Sequence, residues 1–383
     1  MPLLWIIAAC FLLLSAAAPA RAAAPEHVRL TWMSVSNWLI EVGQTRIILD
    51  GYISRIPETA FSGPSFAYAE PSLPDTAAIQ RVIEALGSSR IDCILTGHSH
   101  FDHAFDVAAW ARLTGARIVG ARSTCLQAVA QGVPDARCTA VEGGELIPLG
   151  PYVSVRVIRW NHSGDTTTFE GKLLHAPLEL TAPPTPTSAG LRPGILQDFP
   201  NGGGARAYLF TAQTAAGPVH WLYSNTGNAT TFGQPVTIDE AFFSQRELAL
   251  DSLRIAEHAI PAREHLRAAL TDAGLAGVDV WLGFSDRPLA QAVHPILKPK
   301  AHIPHHWDGL FSPFFDGVPY AYSAFPMSAG VSDFWEEQQV SFLPPRQYMD
   351  AYMLTPTSVR PVANPTVKQR LGLSAPPSPG EHN

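Results

Sequence analysis

The chain has 383 residues, of which 46% are hydrophobic and only 15% charged, so it can bury a large core and is not a disordered polymer. Its formal net charge is −7, from 26 Lys and Arg against 33 Asp and Glu, which argues against a nucleic-acid binder with a basic face. The 34 prolines and 29 glycines point to many turns and exclude a helical bundle or a coiled coil.

The N-terminus reads as an address rather than structure. Residues 3–18 are apolar and uncharged, and Ala20-Arg21-Ala22 obeys the small-x-small rule for leader cleavage. The apolar run covers 16 residues, short of the roughly 20 needed to span a bilayer. The expectation is a signal peptide over 1–22 and an exported protein, periplasmic or secreted. An uncleaved anchor and a lipoprotein acylated at Cys10 are the alternatives; the apolar run continues past Cys10, which counts against the second. No later segment is long and apolar enough for a membrane span. After export three cysteines remain. Cys93 lies in an apolar run and reads as a buried thiol. Cys125 and Cys138 either pair in an oxidising compartment or stay separate.

Val28 to Met33, Trp38 to Val42 and Thr45 to Asp50 read as short strands split by turn residues. Gly51 to Pro74 reads as a loop. Asp75 to Leu86 has helical spacing, with Asp75 placed to cap and Gly87 to stop it. Ile91 to Thr96 is an apolar strand, His103 to Leu113 a helix, Arg117 to Val119 a strand and Ser123 to Gln131 a helix. Val153 to Trp160 alternates as a strand. Residues 163–204 break the pattern with Pro, Thr and Gly, and read as a solvated loop or a lid. Ala207 to Thr211 and Val219 to Ser224 form a hairpin. Leu248 to His258 and Ala262 to Ala273 are helical, Val278 to Gly283 is a strand, Leu289 to Leu297 a helix and Lys300 to Pro304 a strand. From about 308 the chain is rich in Phe, Tyr and Pro. Strands mixed with helices favour a layered α/β sandwich over an all-β fold. The expected organisation is one domain over 23–383, with an insertion at 163–204 and an aromatic-rich extension from 308.

The chemistry concentrates in Thr96-Gly97-His98-Ser99-His100-Phe101-Asp102-His103. Three imidazoles and a carboxylate between a buried strand and a helix would repel on protonation and lose solvation without a counterion. A divalent metal resolves this, because neutral imidazole and carboxylate are its ligands. Capping the helix requires one such residue, not four.

His-x-His-x-Asp-His after a strand resembles the metallo-β-lactamase superfamily of metal-dependent hydrolases. Further residues fit that pattern in order: Asp50 closing an early strand, His162 after a later one, and His306 after the last. The Pro-x-His-aromatic form of Pro304-His305-His306-Trp307 resembles the branch of ascorbate-6-phosphate lactonase and N-acyl-phosphatidylethanolamine phospholipase D. The resemblance covers about residues 28–310. It implies an αββα sandwich of two mixed sheets and one or two zinc ions. His98, His100 and His162 would hold the first ion; Asp102, His103 and His306 the second. Asp102 would also orient the attacking water, Asp50 would steady the His-rich loop from behind, and His305 would stand near the leaving group. One residue departs from the pattern. The family's bridging Asp before Thr-Gly is here Asn225, a neutral amide that bridges two cations poorly. A weak or absent second ion, replacement by another acid such as Asp286 or Asp308, and loss of activity are the competing explanations.

The implied activity is hydrolysis of an ester, lactone or phosphodiester in a small molecule. If the aromatics from Trp307 to Phe325 line the pocket the substrate is partly apolar, although ordinary packing is the simpler reading for them. A non-catalytic metal-binding scaffold and a β-lactamase are the alternatives. Nothing in the sequence speaks to the oligomeric state. His27, His175, His220, His258, His265, His294 and His382 stand outside any cluster and read as surface or packing residues.

Overall fold

The computed structural model describes residues 23–163, 168–234 and 260–373. The expected signal peptide over 1–22 and the helix expected over 248–258 lie outside the described residues. Two mixed sheets pack face to face. The first has eight strands in two groups. Strands β1 (Val28–Ser34), β2 (Asn37–Val42) and β3 (Thr45–Leu49) form a meander. Parallel crossovers then add β4 (Cys93–Leu95), β5 (Arg117–Gly120) and β6 (Cys138–Ala140). The second sheet has seven strands. It runs from β7 (Leu146–Gly150) through β8 (Val153–Arg159), β9 (Arg206–Thr214) and β10 (Gly217–Ser224) in antiparallel order. Parallel strands β11 (Val280–Gly283) and β12 (Ala301–Pro304) and the short β13 (Ser341–Phe342) complete it.

Period-two patterning explains why the second sheet is buried on both faces. Val155, Val157, Tyr208, Phe210, Trp221, Tyr223, Val280 and Leu282 point into the core between the sheets. Their neighbours Ile158, Leu209, Leu222 and Trp281 pack outward against the helices Ala262–Asp272, Arg287–Leu297 and Val331–Glu337. Helix Thr76–Ala85 covers the first sheet through Ile79, Val82 and Ile83, and Asp75 caps it by accepting from Ala78 N at 2.9 Å. The layers are therefore α, β, β, α, as the resemblance implies.

Three expectations change. The stretch from 308 is no appendage: its strands β14 (Ala351–Thr355) and β15 (Ser358–Val362) extend the first sheet beside β1, and β13 closes the second. Its aromatics mostly serve packing. Trp307 stacks on Trp32 at 5.4 Å and Phe314 on Tyr348 at 5.0 Å. The helix expected over 103–113 starts at Phe101 and breaks around Asp106, giving Phe101–Ala104 and Val107–Thr114. The insertion at 163–204 is tied down along its described part. Ile195 N and Leu196 N donate to Phe66 O and Ala67 O, and Ser72 bridges Leu191, so it interlocks with the 51–74 loop. Cys125 and Cys138 form a disulfide, while Cys93 is buried and free. No helix among the described residues is long and apolar enough to cross a membrane.

Candidate metal centre

Strands β3, β4, β8, β10 and β12 end at one edge of the sandwich, and each is followed by a site residue. Asp50 follows β3, the His98–His103 run follows β4, His162 follows β8, Asn225 follows β10 and His306 follows β12. Side chains from distant stretches meet there in two groups: His98, His100 and His162, and Asp102, His103 and His306. Within each group one ligand atom per residue lies within 4.8 Å of the others. His98 Nε2 and His100 Nδ1 are 3.0 Å apart. Asp102 Oδ2 is 3.0 Å from both His103 Nε2 and His306 Nε2.

Outer partners set which nitrogen each ring presents. His98 Nδ1–H donates to Asn225 Oδ1 at 3.2 Å, freeing Nε2. His162 Nδ1–H donates to Ser163 O at 2.5 Å. His103 Nδ1–H donates to Asp50 Oδ2 at 2.7 Å. Asp50 is fully buried and organises the whole edge. Its Oδ1 accepts from Gly97 N at 2.9 Å. Its Oδ2 also accepts from Ser36 Oγ, Tyr223 Oη and Asn225 Nδ2 at 2.7, 2.5 and 3.0 Å. Asp50 and His306 both have left-handed backbones, with φ of 59° and 62°. Such strain persists only where the surroundings over-determine it.

Two of the expected roles are corrected. His305 cannot serve a leaving group: Trp38 Nε1 donates to its Nδ1 at 2.9 Å, and its Nε2–H donates to Ser224 O at 3.0 Å. Both nitrogens are consumed by the fold, and the left-handed turn at His306 sends only the second ring to Asp102. Asn225 does not bridge the two groups. Its amide spans His98 Nδ1 and Asp50, behind the ligand atoms. The suggested substitutes are also occupied. Asp308 pairs with Arg55 at 3.2 Å and accepts from Val35 N, and Asp286 caps helix Arg287–Leu297 through Leu289 N.

The electrostatics suit a cation. Burial first, and the neighbouring imidazoles next, hold His98, His100 and His162 well below the usual histidine range. All three are neutral near pH 7, as ligands need to be. Burial works against protonation of His103 too, but the Asp102 and Asp50 carboxylates flanking it win and lift it to about 10. Burial would raise Asp102, yet His103 and His306 hold it well below the carboxylate range. The donor set of five imidazoles and one carboxylate therefore fits divalent metal in two adjacent positions. His100 sets Nδ1 against His98 Nε2, and its other ring nitrogen, Nε2, is buried without a hydrogen-bond partner, so its outer side lacks the brace that His98 and His162 have.

The cleft over the metal groups is lined by the polar His175, Ser163 and Thr226 and by the apolar Phe66, Phe101, Ile195 and Leu310. Sequence reasoning set His175 aside, yet its ring lies on His162 with centroids 4.3 Å apart. No local signal marks it, since it sits alone in the insertion. Tyr223 and Ser36 were also missed: Tyr223 reaches Asp50 across the packing of the two sheets, and Ser36 reaches it from the turn between β1 and β2 of the same sheet.

Two mixed sheets inside two helical layers, with His-x-His-x-Asp-His at the shared strand edge, decide the architecture. The chain has the metallo-β-lactamase fold. No family model matches the sequence. A UPF0173 metal-dependent hydrolase from Pyrobaculum aerophilum is 26% identical over 150 residues, 39% of this chain and 57% of that protein. The matched stretch thus spans little more than half of that relative. Among solved structures, Igni18, a metallo hydrolase from Ignicoccus hospitalis, is 12% identical. That alignment covers 86% of this chain and 99% of that one, with a TM-score of 0.45. A B3 metallo-β-lactamase with an active-site glutamic acid is 18% identical over 69% of this chain and 79% of its own, at 0.33. Within its metallo-β-lactamase fold, this chain brings the two candidate ligand groups together from three separate strand ends.

Proposed function

We propose that the protein is an exported metal-dependent hydrolase that cleaves an ester, lactone or phosphodiester bond in a small molecule, using one or two zinc ions. The observation that carries this reading is the convergence of the two ligand groups at one strand edge, each within 4.8 Å. Nitrogen-rich ligation favours zinc among common divalent ions. A zinc ion held there lowers the pKa of bound water to about 7 and polarises an acyl or phosphoryl oxygen. The chain's own groups do the rest. Asn225, Asp50 and Ser163 fix the tautomers of His98, His103 and His162, so the ligand nitrogens need no reorientation. Asp102, in the cleft wall, orients the attacking water or passes its proton onward. The apolar wall of Phe66, Phe101, Ile195 and Leu310 excludes water and accepts an apolar substituent.

The choice of bond class rests on the Pro-x-His-aromatic ending at His306. Export rests on the leader-like N-terminus and on the Cys125–Cys138 bridge, since disulfides persist in oxidising compartments. With Asn225 engaged behind the ligands, a weak second ion no longer follows from the missing bridge.

The test is metal content and turnover of purified mature protein. Zinc analysis should return at least one ion per chain. His100→Ala should lower zinc content and cut turnover of an active ester, lactone or phosphodiester by at least about 10³-fold. Retained turnover in that variant would sink the mechanism. Including nitrocefin in the panel tests for β-lactamase activity.

A further inference from the structure

His175, the imidazole of the cleft that belongs to neither ligand group, has no part in the scheme above, and its geometry separates two roles. Its plane lies within 11° of that of His162 at a 4.3 Å centroid distance. Rings bound through nitrogen to one tetrahedral ion diverge from it, so they cannot lie flat on each other. His175 is therefore not a further ligand of the ion held by His98, His100 and His162.

The ring is instead held for another purpose. Leu174, the preceding residue, is buried with Ala67 and Ile195. Asn201 Nδ2 donates to the His175 carbonyl at 2.7 Å. Backbone and plane are both fixed, 5.5 Å from the His100 ring. Its Nδ1 is buried with no hydrogen-bond partner, while the residue as a whole is partly exposed and lines the cleft. A bare ring nitrogen tolerates such burial better than an unpaired N–H, which would lose its hydrogen bond to water. The proton accordingly sits on Nε2, the nitrogen left to meet the cleft.

We propose that His175 is a substrate-binding residue, its Nε2–H donating to an oxygen of the scissile acyl or phosphoryl group beside the first metal position. This rests on the metal-hydrolase reading above and adds a contact supplied by the insertion rather than by the sandwich. It gives the 163–204 segment a function: to bring a hydrogen-bond donor over the ligand His162.

The test uses the zinc-loaded full-length mature chain, with phenylphosphonate binding followed by calorimetry and zinc content measured in parallel. His175→Phe keeps a flat ring on His162 but has no donor; His175→Gln keeps a donor but no stacked ring. Phenylphosphonate binding should weaken about tenfold in His175→Phe at unchanged zinc content, the effect of one lost hydrogen bond. His175→Gln should recover part of that loss. Binding by His175→Phe equal to that of the unsubstituted protein overturns the proposal. So does loss of zinc in both variants, which would mean that His175 only braces His162. A zinc-loaded wild type that ignores phenylphosphonate also overturns it. Failure of the unsubstituted protein to hold zinc is a separate result, which defeats the metal-hydrolase reading itself.

Discussion

At the scale of single residues, the centre depends on buried groups whose partners leave little freedom. Gly97 is one. A Cβ there would lie 2.2 Å from Asn225 Nδ2 and 2.4 Å from its Oδ1. Gly97→Ala must therefore push Asn225 off His98 and Asp50, in a site with no slack. The expected outcome is a loss of about 2–4 kcal/mol in urea unfolding together with reduced zinc affinity; wild-type zinc affinity in this variant would show that Asn225 does not orient His98. His103 offers a second test. Flanked by Asp102 and Asp50, it is raised to about 10, so it carries a proton at neutral pH until an ion takes its Nε2. Filling that position should release about one proton per ion at pH 8. Calorimetric titration with zinc in Hepes and in Tris reads this as a difference in apparent enthalpy set by the two buffers. Identical enthalpies after correction for the first ion would mean that His103 is already neutral.

At the scale of elements, loops at the strand ends carry the chemistry and neighbouring segments hold them. Arg206, at the start of β9, is fully buried. Its backbone N donates to Gly97 O at 2.6 Å and its guanidinium to Gly202 O at 2.7 Å, joining the base of the insertion to the His-rich turn. The disulfide plays a similar part at the sheet edge. Cys125 lies in helix Arg122–Ala130 and Cys138 opens β6, 13 residues later, so the bridge pins the last strand of the first sheet. Chain-entropy arguments give a loop of that length about 3 kcal/mol. Cys138→Ser should lower unfolding free energy by about 2–3 kcal/mol under oxidising conditions and by nothing under reducing ones, measured by urea unfolding with and without dithiothreitol. Equal losses in both would assign the effect to packing instead of the cross-link. The hairpin of β9 and β10 was legible in the sequence, as were β1 to β3, though both hairpin strands run closer to the turn than expected. Strands β6 and β7 were not: they are short and largely exposed, with no apolar period to announce them.

At the scale of the whole molecule, the sandwich buries neutral histidines that have nothing to do with metal. His302 in β12 packs among Trp281, Trp335 and Phe342, with Nε2 on Ser285 Oγ at 2.9 Å. Burial lowers it to about 3. The unfolded chain binds a proton there from about pH 6.5 downward while the folded chain does not. Its contribution is therefore complete above about pH 6.5 and is lost as pH falls toward 3, by up to about 1.4 kcal/mol per pH unit. Urea unfolding at pH 7, 6 and 5 should show a shallower acid decline for His302→Phe than for the unsubstituted protein. Parallel declines would exclude His302 as a source of the pH dependence.

Local chemistry alone pointed to a metal site at His98, His100, Asp102 and His103, because so many ligand-type groups in so short a run have few other stable uses. It determined the layered α/β class as well, since the periods of strands and helices are set residue by residue. Only the tertiary structure decided what sits around those ligands. Whether His305 or Asn225 faces the cleft depends on which partner claims each atom, and those partners lie on other strands. His175 became visible only when the insertion folded back over His162, a contact made by packing between segments whose sequences carry no mark of each other.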